Sequence, residues 1–218
     1  MTEGEWLSWE SNPEKPLSHL FHIGVSARRF RLFTCGCCRR VVRSQSAIQT
    51  IEMAERFADG QMNHLELRAA CEATLATWQS SLRSKCPSYA DLVALQAASA
   101  EPEEYGVAVV VANTCLRALA DPGYRAITTE RKQQCALLRD IFGNPFQTAP
   151  KCNPSWRTSE VIALATAIYQ DRDFRRMPAL ADALETAGCR DPEILAHCRS
   201  GSEHVKGCWV LDLVLGKQ

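Results

Sequence analysis

Apolar residues recur at three- and four-residue intervals along nearly the whole chain, and Gly, Pro and Asp break the pattern before any one run becomes long. A surface helix shows its core this spacing, whereas a half-buried strand needs strict alternation. The expected fold is therefore all-α: a multi-helix globular bundle with a small C-terminal helical subdomain containing Cys and His. The clearest stripe, Phe30, Phe33, Cys37 and Val41, predicts a helix over about 26–43. Arg28, Arg29, Arg31, Arg39, Arg40 and Arg43 fall on its remaining surface, and Cys35 and Cys38 lie near the border between the two faces.

Punctuation marks the other helices. Ala47 to Ala58 ends at Asp59-Gly60, and Leu65 runs to about Leu82. Ser88 to Asp91 has the form of a capping box. Glu103 to Ala120 holds β-branched residues that would suit a buried strand, but acidic residues at its start, Arg117 near its end and Asp121-Pro122-Gly123 after it favour a helix. Glu130 to Phe142 stops at Gly143-Asn144-Pro145. Residues 144–157, with three prolines and little periodicity, read as a connector between an N-terminal helical domain, 1–143, and a C-terminal subdomain, 158–218. Within the latter, helices are expected over Glu160 to Tyr169, Met177 to Ala187, from Asp191-Pro192 onward, and Trp209 to Leu215.

Charge narrows the functions. Twenty-five basic and 25 acidic residues give no net charge, which argues against a general binder of nucleic acid or anionic membrane. The start, MTEGEWLSWESNPEKP, lacks the basic and apolar regions of an export signal, and Val107 to Ala112 is far short of the roughly 20 apolar residues of a membrane span. A cytoplasmic protein is expected. Eleven cysteines, an odd number, then read as free thiols, with burial in the core the ordinary fate of each.

The exception is sought where donors cluster. Cys189, His197, Cys198, His204 and Cys208 lie within a stretch that two short helices and a turn could fold onto one point, and tetrahedral zinc takes such ligands. His197 and Cys198 diverge by about 100° on a helix, so only one of them should coordinate. In the competing reading, Cys189, Cys198 and Cys208 pack against Leu195, Trp209 and Leu213 while the histidines bond to loop backbone. Cys35-Gly36-Cys37-Cys38 is a weaker candidate, because a helix cannot aim three such thiols at one ion. Arg28, Arg31, Arg39, Arg40 and Arg43 could contact phosphates. Phosphate loops, metalloprotease helices and nucleophile elbows are absent.

RRFRLFTCGCCRR, LLRDIFGNPF, LADALETAGC, ILAHCR and HVKGCWVLDLVLGK, in that order, resemble the motifs of a large family of uncharacterised planctomycete (Gemmata-type) proteins. The resemblance spans essentially the whole chain and implies no reaction. It groups Phe33, Cys35, Cys37, Cys38, Arg39 and Arg40 as one family motif, Gly143 to Phe146 as another, and Cys189, His197, Cys198, His204, Cys208, Trp209 and Asp212 as a third. It also implies alanine as the common residue at positions 34 and 36, which fits a helix. The favoured function is a non-enzymatic helical module for protein interaction or regulation, with another protein as partner and zinc as the candidate cofactor. The alternatives are a nucleic-acid-associated protein using helix 26–43 and a thiol- or metal-dependent hydrolase.

Overall fold

The helix-period pattern is realised throughout the described residues. The structure, a computed structural model, describes residues 1–83, 89–99, 105–119, 124–148 and 152–217, and among them every regular element is helical. No helix among these residues is long and apolar enough to cross a membrane. The chain divides into two compact units, Met1–Leu138 and Arg139–Gln218.

The first unit carries α1 (Glu3–Ser8), α2 (Glu14–His22), α3 (Ala27–Val41), α4 (Gln45–Ala58), α5 (His64–Arg83), α6 (Tyr89–Ser99), α7 (Tyr105–Arg117) and most of α8 (Tyr124–Phe142). Neither α1 nor α2 is foreseen in the reading above. The signal for α1 is nevertheless present: Thr2 Oγ1 accepts from Glu5 N at 3.2 Å and Thr2 N donates to Glu5 Oε2 at 2.8 Å, a complete capping box. α8 begins at Tyr124 rather than Glu130, so Ile127, Thr128 and Thr129 are helical despite their weak propensity. The Ser88 cap and the Asp121-Pro122-Gly123 stop lie outside the described residues.

The largest correction concerns α3. It packs against α4, α6 and α7, so it is surrounded, and every residue from Phe30 to Cys38 is buried. A single-stripe reading fails for a helix enclosed on several sides. Cys35 and Cys38 are fully buried, with no border position, and Arg31 is a core residue with only 4% exposure.

Arg31 Nη1 donates to the carbonyls of Ala97 and Ala98, at 3.3 and 2.9 Å, in the last turn of α6. A fixed cation there meets carbonyls left over at the helix end. The neighbouring arginines are paired too. Arg28 meets Asp59 at 2.9 Å, Arg39 meets Glu55 at 2.8 Å, and Arg40 meets Glu130 at 3.1 Å; all three carboxylates are nearly shielded from solvent. Arg43 turns back onto the carbonyls of Val42 and Arg40. Arg28, Arg31, Arg39 and Arg40, expected on an open surface, fasten α3 to α4, α6 and α8.

The second unit starts in the last turn of α8. A short 3-10 turn, Pro154–Trp156, precedes α9 (Ser159–Asp171), α10 (Met177–Thr186), α11 (Pro192–Arg199) and α12 (Trp209–Leu215). Thr158 caps α9, and Asp191 accepts from Glu193 N and Ile194 N to cap α11, with Pro192 in its first turn. Ile168, Leu180, Leu184 and Leu211 are among the residues that fill this core, each fully or almost fully buried. Burial of such a side chain stabilises by about 1.5–3 kcal/mol.

Candidate metal centre

Three short stretches of the second unit bring polar side chains to one point. The end of α8 supplies Asp140, α11 supplies His197, and the loop between α11 and α12 supplies His204 and Cys208. One donor atom from each lies within 4.8 Å of the others, and Asp140, His204 and Cys208 are buried. This is the one such group of His, Cys, Asp and Glu found among the described residues.

Local folding explains the convergence. Asp191-Pro192 starts α11 so that His197 falls in its last turn, and Ser200 ends the helix. The chain then turns through Gly207, at φ +91°, and delivers Cys208 as the residue before α12. Asp140 anchors the loop: its Oδ2 accepts from Val205 N at 3.0 Å. Its Oδ1 lies 2.6 Å from His204 Nδ1 and 3.2 Å from His197 Nε2. Cys208 Sγ lies 3.2 Å from His197 Nε2 and 3.9 Å from His204 Nδ1.

These separations can be set against a tetrahedral ion. Bonds of about 2.0 Å to N or O and about 2.3 Å to S imply edges of about 3.3 Å between N or O donors and about 3.5 Å between S and N. The four contacts above straddle those values, at 2.6 and 3.2 Å for N–O and 3.2 and 3.9 Å for S–N, and every remaining separation is within 4.8 Å. His204 meets Asp140 and Cys208 through Nδ1, while its other ring nitrogen, Nε2, is buried with no hydrogen-bond partner.

Electrostatics divide the donors. Burial pushes the Asp140 carboxyl up, but the hydrogen bonds and charges of His197 and His204 outweigh it and hold it below the usual carboxylate range. Burial pushes the Cys208 thiol well up, and the nearby Asp140 charge adds to the effect. A metal would have to displace the thiol proton.

Of the residues picked out in the sequence, His197, His204 and Cys208 meet at this point. Cys189 and Cys198 belong to the apolar core of the same unit, with Ile194, Leu195 and Val210. Burial, with Cys189 beside it, pushes the Cys198 thiol up to about 12. The adjacent pair therefore splits as helix geometry requires, His197 toward the centre and Cys198 into the core. Asp140 is the member that sequence reasoning missed. A usable signal existed: a carboxylate in the last turn of a helix opposes the macrodipole and calls for a reason to be there.

A cleft of about 740 Å³ in this unit is lined by charged residues of both signs, Asp171, Arg172, Asp173, Arg175 and Glu203, and reaches His204. Comparison of the chain with protein-family models, with curated proteins and with solved structures returns no match.

Proposed function

We propose that this chain is a non-enzymatic helical module whose C-terminal unit is organised by one structural metal ion, zinc, held by Asp140, His197, His204 and Cys208. The observation that carries this reading is the convergence of Asp140, His197, His204 and Cys208, three of them buried, with their donor atoms within 4.8 Å of one another. Four protein ligands make a closed set, the hallmark of structural sites, whereas a catalytic zinc keeps one position for water or substrate. Mixed N, O and S donors at tetrahedral spacing favour zinc over magnesium or calcium, which prefer six or more oxygens.

The test is metal content of protein purified without affinity tag or chelator, combined with melting before and after a strong chelator. About one zinc per chain, with melting lowered on its removal, is the expected result. No bound metal, no uptake on adding zinc and no chelator effect would overturn the proposal.

A further inference from the structure

Trp209, the first residue of α12, bears directly on the proposed centre. Its indole Nε1 donates to His197 Nδ1 at 3.1 Å, and the two rings are 5.1 Å apart. An indole N–H can only donate, so Nδ1 must carry a lone pair and no proton. The ring proton of His197 then sits on Nε2, where Asp140 Oδ1 and Cys208 Sγ are both 3.2 Å away to receive it.

Nε2 is also the nitrogen that faces the other donors. To bind a metal there, His197 must expose the Nε2 lone pair and move its proton to Nδ1. That proton would point straight at the Trp209 N–H. Metal-binding histidines ordinarily give their second N–H to a carbonyl or carboxylate, which fixes the ring and strengthens the ligand. Here the partner at that position is another donor.

We infer that Trp209 sets how tightly the centre takes its metal: the indole N–H and the ion compete for one imidazole, at its two nitrogens. Trp209 is thus a positioning residue acting through His197. The inference rests on the metal-binding reading above and adds what limits its affinity. Gly143 lets the indole lie close: an ideal Cβ at that position would be 3.3 Å from Trp209 Cγ, so a side chain there would crowd the ring.

The test uses the full chain, as wild type and as Trp209→Phe, which keeps an aromatic ring for packing. Zinc affinity is measured by competition with a chelator of known strength. Removal of the competing hydrogen bond should tighten binding about three- to tenfold, the worth of one net hydrogen bond. Equal or weaker binding by the variant, with zinc still taken up by wild type, overturns the inference and leaves the metal reading standing. Failure of both proteins to take up zinc overturns both.

A second readout needs no variant. In ¹⁵N-histidine NMR spectra of chelator-treated wild type, His197 should show an unprotonated Nδ1 and a protonated Nε2. Zinc should invert that pattern and shift the Trp209 indole proton. A His197 that keeps its Nδ1 lone pair and its indole partner after zinc has bound would overturn the inference.

Discussion

Two cysteine-rich regions of this molecule invite the same expectation and differ in what they can do. In α3, Cys35, Cys37 and Cys38 are packed within four residues, yet they are buried among apolar neighbours. The arginines around them are committed to carboxylates or to helix-end carbonyls. In the C-terminal unit only one cysteine takes part, but it meets two imidazoles and a carboxylate brought from separate elements. Local density of thiols is thus a poor guide to metal chemistry. Cys35 and Cys38, three apart, share a face of α3 while Cys37 points elsewhere, so the helix does not aim all three thiols together, whereas a helix end, a turn and a second helix end can aim different donors at one point.

The sharpest way to break this comparison is to treat the α3 arginines as a free surface. Arg39→Glu with Arg40→Glu should lower stability by about 3–5 kcal/mol, because Glu55 and Glu130 are left as buried charges without their cations. Chemical denaturation measures this, and an unchanged midpoint would show that the arginines are not structural clamps.

Next in size is the metal itself. Zinc at roughly a thousand times its Kd should add about 4 kcal/mol, or about 10 °C of melting temperature for a chain of this length. Cys208→Ser should lower zinc affinity more than about 100-fold. Cys37→Ala should leave the stoichiometry at one, and a zinc content that fell with Cys37 rather than Cys208 would reverse the comparison.

A smaller effect is expected at Gly143, which ends α8 at φ +64° against the Trp209 ring. Gly143→Ala should cost about 1–2 kcal/mol in thermal or chemical unfolding, from backbone strain and crowding of the indole. An equally stable variant would show that the ring is not held there.

The smallest effect is in acid. The Asp140 carboxyl is held below its ordinary range once the two histidines outweigh burial, so its contribution is present above the unfolded carboxylate pKa and is lost as pH falls through the folded value. The loss of stability below about pH 4 should therefore be shallower in Asp140→Asn than in wild type. Identical acid limbs would separate Asp140 from the charge balance of the centre.

Much of this architecture was legible because helices announce themselves locally. Asp191-Pro192 and Asp59-Gly60 mark their termini without reference to anything distant. Burial on all sides is different, since it depends on which elements surround a helix. For that reason the stripe on α3 pointed to one buried face where the fold buries a whole central segment. The site was half legible on the same grounds. His197, His204 and Cys208 are close in sequence, so a turn suffices to suggest their meeting. Asp140 lies 64 residues before His204, and only tertiary folding brings it in. α1 is harder to read although Thr2 and Glu5 carry its capping signal, because its six residues are too few to show a helical stripe.

That long separation has a consequence for the unfolded chain. A metal ion joining Asp140 to His204 would act as a reversible cross-link between points 64 residues apart. By the chain-entropy argument for disulfides, closing a loop of this length removes about 4 kcal/mol of freedom from the denatured ensemble. An ion that binds only the folded unit leaves the unfolded chain open, so the closing of this ring is a cost met on folding, before the ion can bind.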